Sequence, residues 1–260
     1  MPMQRNLSRR GLLKAAGGLG AAALLSGCDQ ITESETSRRV LESAESLNIA
    51  VQRALGGKKL ATEFSESDLS PAFRANGSTD PDSKAYKAAA AQGFADWRLE
   101  VRGLVDRPAR LSLADIRALP SRTQITRHDC VEGWSCIGKW TGVRLSSLLG
   151  QVSPRPSARY LVFHCADTLP SEGLSPPVPY YESIDLFDAL HEQTILAYEM
   201  NGQDLPIQHG APLRLRVERA LGYKHAKYVM SIEFVDSLAK IGGGKGSYWA
   251  DHGYSWYAGI

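Results

Sequence analysis

The sequence predicts one α+β domain in which mixed sheets are joined by short helices. Stretches that alternate apolar and polar residues, such as WRLEVRG (97–103) and LRLRV (213–217), are typical of strands with one buried face. Capped helical segments of about ten residues stand between these stretches, and the chain contains no internal repeat. With 260 residues, of which 43% are hydrophobic, the chain is long enough for one sizeable core and short for two.

Three helices follow from local signals in the first half of the chain. Apolar residues recur at helical spacing from Arg38 to Leu55, and the glycine pair 56–57 ends that helix. Asp80 followed by proline predicts the start of a second helix, which runs through the alanine-rich segment to Gln92. SLAD (112–115) is a capping box that opens a short third helix.

The remaining elements are predicted from the alternation of residue types and from turn signals. Asn201-Gly202 is a strong signal for a two-residue hairpin. Residues 166–180 are proline-rich and predict a loop. Further strands are predicted at RTQITRHDC (122–130), RYLVFHC (159–165) and 227–235, and further helices at TGVRLSSLL (141–149) and SIDLFDALHE (183–192).

The N-terminal segment has the features of an export signal. Arg9 and Arg10 precede an apolar run of about 15 residues, which is too short to span a bilayer. The arginine pair resembles a twin-arginine (Tat) signal, and LSGC (25–28) resembles a lipoprotein processing box, so we expect Cys28 to carry the lipid. The alternative is that Cys28 is only a small apolar residue. The expected parts are a signal peptide (1–27), a lipid tether with a helix (28–60) and the main globular domain (61–260), anchored in the periplasm.

The charge balance argues against nucleic acid as a partner. The chain has 30 basic and 28 acidic side chains, and four of the basic residues lie in the predicted signal peptide. The processed chain would carry 26 basic residues against 28 acidic ones. It has neither a basic stripe nor a recognised nucleic-acid-binding motif.

The cysteines leave several alternatives open. Cysteines stand at positions 28, 130, 136 and 165, so lipidation of the first leaves an odd number. A disulfide between Cys136 and Cys165 would leave Cys130 as a free thiol. A zinc site is less favoured because no C-x-x-C pair is present. Its candidate ligands would be His128, Cys130, Cys136, His164 and Cys165.

Two blocks of sequence resemble a known family. They are CVEGWSCIGKWTGVRLSSLL (130–149) and LPIQHGAPLRLRVERALGYKHAKYVMSIEFV (205–235). In this order and spacing they resemble the molybdopterin-binding domain of the sulfite oxidase family, most closely the branch of the periplasmic methionine sulfoxide reductases. The resemblance covers roughly Phe73 to Val235 and implies a sulfite-oxidase-type fold with a molybdenum–molybdopterin cofactor (Mo-MPT).

The resemblance also implies roles for individual residues. Cys130 would ligate molybdenum, a use of the thiol that fits the preference of soft metals for sulfur. Arg214 would offer a fork of donors, and Lys227 a charge, to the pterin phosphate. The remaining implied cofactor contacts are Asn76 near the metal, Cys165 and His209 at the pterin, and the backbone N–H groups of His225 and Ala226. The alternatives are a buried structural cysteine at 130, and a solvated strand face for Arg214 and Lys227, with Arg216 and Arg219 as equivalents.

Glu132 is a candidate proton donor. If Cys130 ends a strand, a residue two positions further on returns to the same face. A carboxylate there could deliver a proton during oxygen-atom transfer; the alternative is an ordinary surface glutamate. We expect Trp134 and Trp140 to serve packing, and His128 to be a buried core group.

The sequence favours reduction of a small S- or N-oxide over oxidation of sulfite. True sulfite oxidases carry arginines just after the metal cysteine, whereas this chain has Val131, Glu132 and Gly133. A carboxylate there would repel the sulfite dianion. The alternatives are sulfite dehydrogenase-like oxidation and a pterin-binding lipoprotein module without turnover. The chain is short for the extra dimerisation domain of classical sulfite oxidases, so we expect a monomer. No C-x-x-C-H haem motif occurs, so we expect electrons to come from a separate protein, such as a membrane haem protein or a c-type cytochrome.

Overall fold

The computed structural model describes residues 34–169 and 177–260. The predicted signal peptide, Cys28 and part of the predicted loop at 166–180 lie outside the described residues. The chain divides into two compact units, Met1–Gly57 and Lys58–Ile260. The described residues of the first unit form the helix α1 (Glu35–Gly56), as the spacing of its apolar residues predicted. Within the described ranges, no helix combines the length and the apolar character that a membrane crossing demands.

The second unit is built from ten strands and five short helices in the described part of the chain. The helices are α2 (Lys84–Ala91), α3 (Leu113–Arg117), α4 (Leu145–Val152), α5 (Leu186–Ala189) and α6 (Tyr248–Asp251). The strands are β1 (Arg98–Gly103), β2 (Ala109–Ser112), β3 (Ser121–Asp129), β4 (Ser135–Arg144), β5 (Tyr160–Leu169), β6 (Val178–Asp185), β7 (Ile195–Met200), β8 (Gln203–Asp204), β9 (Arg214–Arg216) and β10 (Val229–Val235).

The strands form two five-stranded sheets, so the predicted α+β class with mixed sheets and short helices is confirmed. The first sheet has the order β2-β1-β10-β5-β6, and within it β1 and β10 are parallel while the other neighbours are antiparallel. The second has the order β3-β4-β7-β8, with β9 also paired to β7. Because strands that are distant in sequence are neighbours, residues from several parts of the chain meet at the ends of β3, β5 and β9.

Burial of apolar side chains holds the sheets and helices together. The main core takes residues from both sheets and from α4, among them Leu99, Leu148, Phe163, Leu215 and Phe234, all nearly or fully buried. A second cluster surrounds the fully buried Trp140, against which Phe73 packs edge-on with ring centroids 5.3 Å apart. Trp140 therefore serves packing, as predicted.

Several predicted elements are confirmed with their local cause. The capping box of α3 forms as expected, because Ser112 accepts from the backbone N–H of Asp115 and the Asp115 carboxylate accepts in return. Asn201 and Gly202 both take positive φ, which a two-residue hairpin between β7 and β8 requires. The strands predicted at 97–103, 122–130, 159–165, 213–217 and 227–235 all appear, with β5 continuing to Leu169.

Other boundaries were predicted wrongly. The cap of α2 is Ser83 rather than Asp80, because the Ser83 hydroxyl accepts from the N–H of Tyr86 and the Tyr86 ring is then buried. Residues 141–144 continue strand β4, since this segment pairs with β3 on one side and with β7 on the other. Ser183 lies inside strand β6, and the helix predicted there begins only after Asp185, its actual cap.

Candidate active site

A cavity of about 150 Å³ lies where β3 and β5 end and β9 begins. Its wall includes six of the residues that the sequence singled out, although they are far apart in the chain. They are Asn76, Cys130, Glu132, Arg214, His225 and Lys227. The fold therefore brings most of the predicted site together in one place.

Cys130 is held at the cavity by a tight turn after β3. Its backbone N–H donates to the carbonyl of Trp134 (2.9 Å), and Gly133 donates back to the carbonyl of Cys130 (3.0 Å). Gly133 has φ +83°, a conformation that L side chains rarely adopt. The thiol is free and 8% exposed, and burial raises the pKa of the Cys130 thiol. Strand β3 ends at Asp129, so Glu132 lies in the turn that follows. The expectation that Glu132 shares a strand face with Cys130 was therefore wrong.

Asn76 connects Cys130, the candidate metal ligand, to Lys227, one of two cations that line the cavity. The side-chain amide of Asn76 donates to the thiol sulfur of Cys130 at 3.7 Å. The backbone carbonyl of Asn76 accepts from Lys227 Nζ at 2.8 Å, and the same ammonium also donates to the carbonyls of Ser78 and Gln208. Lys227 therefore fixes the segment that carries Asn76 against the cavity.

Arg214 and Lys227 are buried cations, so the alternative of a solvated strand face is wrong. Arg214 is 2% exposed, donates from Nη1 to the carbonyl of His209 (3.2 Å), and packs over the Trp140 ring. Its Nε has no hydrogen-bond partner among the described residues. Burial and the nearby Arg216 lower the pKa of Arg214 to about 9, and burial and Arg214 lower the pKa of Lys227 to about 7.

Arg216, which the sequence offered as an equivalent of Arg214, has a different environment. It is fully buried and forms two hydrogen bonds with Glu218, at 2.6 and 2.9 Å. Arg219 lies 3.5 Å from Asp188, away from the cavity wall. Within the described residues, neither Arg214 nor Lys227 forms an ion pair with a carboxylate. Asp167 and Glu218 act electrostatically on Lys227 and Arg214, respectively, but no carboxylate of the described residues lies within 4.0 Å of either cation.

Glu132 stands at the cavity with more than half of its side chain exposed. It accepts from the indole N–H of Trp134 at 2.9 Å and lies 3.8 Å from Arg74. The guanidinium of Arg74 also sits over the Trp134 ring, 5.4 Å from its centroid. The carboxylate is thus held beside Cys130 and partly neutralised.

The backbone N–H groups of His225 and Ala226 are not free, contrary to expectation. His225 donates to the carbonyl of Gly222 and Ala226 to that of Lys224, both at 3.1 Å, because a short 3-10 turn precedes β10. The His225 ring lines the cavity and packs against His128, with the two Nδ1 atoms 3.3 Å apart. His128 is fully buried, as predicted, and its Nδ1 accepts a hydrogen bond from Arg216, whereas its Nε2 has no partner among the described residues.

Cys165 and His209 are buried but do not line the cavity. Cys165 lies within β5, and burial raises the pKa of its thiol well above the usual value. His209 packs edge-on against Phe73, and its Nδ1 has no partner in the described part of the chain. Burial, Arg214 and Lys227 lower the pKa of His209 to about 4, so the ring is neutral.

The disulfide and the zinc site are not formed. Cys130, Cys136 and Cys165 are all free thiols, because Cys136 lies on β4 in one sheet and Cys165 on β5 in the other. Across residues 34–169 and 177–260, no three His, Cys, Asp or Glu side chains converge as a metal ion would require.

Several cavity residues were missed by the sequence analysis, and four of them carry functional groups that bear on the site. Asp167 follows Cys165 by two positions on β5, which was the available signal for a shared face. It is 4% exposed, its Oδ1 has no partner among the described residues, and burial raises its pKa to about 6. Tyr223, Trp249 and Tyr254 also line the cavity, and long-range folding brings the last two there.

Comparison with known proteins decides the family. Residues 86–240 match the model of the oxidoreductase molybdopterin-binding domain. The chain belongs to this family. It is a molybdenum-dependent oxidoreductase of the sulfite oxidase type, and its cofactor is a molybdopterin.

Three relatives show how far the similarity extends. A protein named as protein-methionine-sulfoxide reductase subunit YedZ1, from Azospira oryzae, is 38% identical over 253 residues, 97% of this chain and 88% of that protein. The catalytic subunit MsrP of Ralstonia nicotianae is 40% identical over 54% of this chain and 44% of its own length. The Burkholderia mallei MsrP is 31% identical over 88% of this chain and 69% of its own. The match to the Ralstonia protein thus spans less than half of that relative.

A partial match to a solved structure was also found. The sulfane dehydrogenase SoxCD from Paracoccus pantotrophus shares 24% identity over 55% of this chain and 39% of that chain, with a TM-score of 0.48.

The cavity suits the cofactor of the family. A free thiol at its wall is a suitable ligand for a soft metal such as molybdenum. The orphaned Nε of Arg214 suits a phosphate oxygen, which accepts charge-assisted hydrogen bonds. Lys227 donates its three N–H groups to backbone carbonyls, so it would add positive charge to the site and not a free donor. The molybdopterin-binding domain therefore offers both a metal ligand and an anion site in one cavity.

Proposed function

We propose that the molybdopterin-binding domain reduces S-oxides of the methionine sulfoxide type. The observation that carries the proposal is the free Cys130 thiol, which shares a cavity with two buried cations that lack a carboxylate partner. Several relatives are named as methionine sulfoxide reductase subunits, which supports this substrate class. The reaction takes up two electrons and two protons, breaks the S–O bond, and releases a thioether and water.

The residues of the cavity divide between cofactor and substrate. Cys130 would ligate molybdenum, and Asn76 would orient its sulfur through the 3.7 Å contact. Arg214 and Lys227 would hold the phosphate, with the His225 ring beside them. His209, Cys165 and Ala226 would act behind the wall, where His209 supplies the carbonyl that fixes Arg214. When bound, the cofactor supplies two-electron oxygen-atom transfer.

Glu132 is the group of this chain that would supply a proton to the substrate. The carboxylate of Glu132 is held beside Cys130 by Trp134 and Arg74, where it can pass a proton to the departing oxygen. A neutral S-oxide needs no counter-charge at this position, since neither substrate nor product is an anion.

Oxidation of sulfite fits the same cavity less well. Residues 131–133 supply a carboxylate and no cation, and Arg74, the nearby cation, lies 3.8 Å from Glu132. A dianion entering here would meet a charge that is already paired. A pterin-binding module without turnover would leave the position of Glu132 beside the thiol without a use.

The expected location and electron source complete the proposal. Export through the twin-arginine pathway and lipidation of Cys28 would place the protein in the periplasm, anchored to a membrane. Electrons would come from a separate redox protein, such as a membrane haem protein or a c-type cytochrome, and the protein would act as a monomer.

The test is turnover by protein exported from a host that makes molybdopterin. Molybdenum per chain is measured by elemental mass spectrometry, together with reduction of methionine sulfoxide and of an N-oxide by a reduced dye, and oxidation of sulfite. We expect near one molybdenum per chain and S-oxide reduction. Cys130→Ser should lose activity, whereas Cys136→Ser, which removes a free thiol outside the cavity wall, should keep it. Sulfite oxidation without S-oxide reduction, or bound molybdenum without any turnover, would refute the proposal.

A further inference from the structure

A loop that follows the family-matched part of the chain, residues 247–255, completes one side of the cofactor cavity. Trp249 and Tyr254 in this loop line the cavity together with Cys130 and Arg214, the proposed contacts of the cofactor. The loop begins with the cap of α6 and lies beyond residue 240, the last one that the family model matches. A cofactor bound in the cavity therefore lies beside a segment that the family model does not include.

The two ends of this loop meet at one buried hydroxyl group, that of Ser183 on β6. The hydroxyl donates to the backbone carbonyl of Gly246, just before the loop, at 2.6 Å, and accepts from the indole N–H of Trp256, just after it, at 2.8 Å. A Cβ built at Gly246 would lie 3.1 Å from two atoms of the Trp256 ring, so the two ends are in contact. We name Ser183, Gly246 and Trp256 the clamp. A compact loop whose ends are close in this way is typical of an Ω-loop.

The Trp256 ring has further contacts, all of them away from the cavity. Lys224 Nζ lies 5.0 Å from the ring centroid, and the Tyr160 ring meets it edge-on with centroids 5.6 Å apart. Lys224 is itself buried in an ion pair with Glu182. Neither Ser183 nor any of these four side chains is part of the cavity wall. The clamp can therefore be weakened without changing a side chain that lines the cavity.

The loop is closed in this structure. Tyr248 is 3% exposed and packs against Tyr180, which lines the cavity, with ring centroids 5.8 Å apart. Asp251 accepts a hydrogen bond from the hydroxyl of Tyr181 on β6. Opening the loop breaks these contacts as well as those of the clamp, so the open form is a rare, locally unfolded state.

We propose that residues 247–255 are a lid on the cofactor cavity, and that the clamp sets how often the lid opens and so how fast the cofactor is released. This role goes beyond S-oxide reduction, since it concerns the molybdopterin and not the substrate. Ser183 and Trp256 are positioning residues, because they hold the ends of the lid and do not line the cavity. Each interaction removed from the clamp lowers the free energy of local opening and raises the population of the open lid.

The test measures the release of molybdenum from protein that is exported already loaded. Samples are taken during incubation, small molecules are removed by gel filtration, and protein-bound molybdenum is followed by elemental mass spectrometry. We expect the release rate to rise about tenfold in Trp256→Ala and in Ser183→Ala, and about threefold in Trp256→Phe, which keeps a ring but loses the N–H donor. Hydrogen exchange of the backbone amides in residues 247–255 reports opening directly. It should be slower with bound cofactor in the wild type and faster in the clamp variants.

A matched control distinguishes the lid from a general loss of stability. The Tyr198 ring is 6% exposed and packs beneath a cation, Arg117, 4.4 Å from its centroid, but it lies on β7, outside the clamp and the cavity wall. Tyr198→Ala should lose stability and yet release molybdenum within about twofold of the wild-type rate, because distant sites act independently.

Three results would overturn the lid: unchanged release in the clamp variants, equal acceleration in Tyr198→Ala, or exchange in residues 247–255 that the cofactor does not slow. Release and exchange are measured without a substrate. A wild-type protein that reduces no S-oxide, while its clamp variants release molybdenum faster, would therefore refute the proposed function and leave the lid in place.

Discussion

The side-chain amide of Asn76 donates to the thiol sulfur of Cys130 at 3.7 Å, although 54 positions separate the two residues. The carbonyl of Asn76 in turn accepts from Lys227. Asn76 therefore links Cys130, the proposed metal ligand, to Lys227, a cation in the wall of the same cavity. It lies before the residues that the family model matches, so the cavity is completed by a segment outside the matched domain.

Removing this link should weaken the metal centre without unfolding the protein. In Asn76→Ala the sulfur of Cys130 loses a hydrogen-bond donor that orients it, and we expect molybdenum retention or activity to fall about 10–100-fold. Dialysis followed by elemental analysis, with turnover assayed in parallel, gives both quantities. Asn48→Ala, in the exposed face of α1, is the control and should behave as wild type. Full retention of both metal and activity in Asn76→Ala would contradict the orienting role.

Two buried arginines on β9 should respond oppositely to the same substitution. Arg214 is a buried cation without an ion-pair partner in the described chain, so Arg214→Met removes a desolvated charge. We expect the cofactor-free protein to become more stable by about 1–3 kcal/mol, while cofactor binding is lost. Urea unfolding of cofactor-free protein and molybdenum content of exported protein measure the two effects.

Arg216 provides the matched comparison for Arg214. Because it pairs with the fully buried Glu218, Arg216→Met leaves a buried carboxylate without its partner. We expect a loss of about 3–5 kcal/mol in the free energy of unfolding. If both variants lost stability to the same extent, Arg214 would be a structural residue and the anion site would lose its main support.

The different environments of Arg214 and Arg216 could not be predicted from the sequence. Arg214 and Arg216 stand two positions apart in LRLRV, and their alternation predicted the strand correctly. Nothing local distinguishes them, because Glu218 and the cavity are what give each its environment. The resemblance of the second sequence block, rather than periodicity, selected Arg214.

The wrong assignment of residues 141–144 and the missed cavity residues also result from contacts between distant parts of the chain. The segment 141–144 was assigned to a helix, yet it pairs with β3 and β7, strands whose contribution cannot be seen in a short window. Gly142 lies where a side chain would collide with the backbone oxygen of Leu196, a constraint that only the paired strand reveals. Trp249 was missed for the same reason, since tertiary contacts alone bring it to the cavity that contains Cys130.

Stability of the cofactor-free protein should rise with pH above neutrality because of Lys227. Its pKa is about 7 in the folded protein and about 10.5 when exposed, so between these values the unfolded chain binds more protons. The penalty for burying the charged amine is therefore fully present below about pH 7 and disappears as the pH approaches 10.5. Urea unfolding of the wild type across this range should show the increase, and Lys227→Met should flatten it.

An exposed lysine provides the control for this titration. Lys240→Met removes a hydrated charge, so the wild-type pH dependence should persist. Bound phosphate should reduce the slope, because an anion stabilises the charged amine. An unchanged slope in Lys227→Met would show that another group causes the pH dependence.

A methyl group at Gly222 should disturb the cavity from behind. A Cβ built there would lie 2.5 Å from both Cε1 and Nε2 of His128, a fully buried ring two residues before Cys130. The ring cannot move freely, since Phe73, Trp134 and His225 pack against it. We expect Gly222→Ala to lower the free energy of unfolding by about 1–3 kcal/mol, measured by thermal or urea denaturation, and to lower the molybdenum content.

Gly150→Ala is the matched control. Nothing lies within 4 Å of a Cβ built at Gly150, and this residue lies in α4, so the substitution should stabilise the protein by about 0.5–1 kcal/mol. A Gly222→Ala protein with wild-type stability and full molybdenum would show that the His128 ring yields readily and does not help to position Cys130.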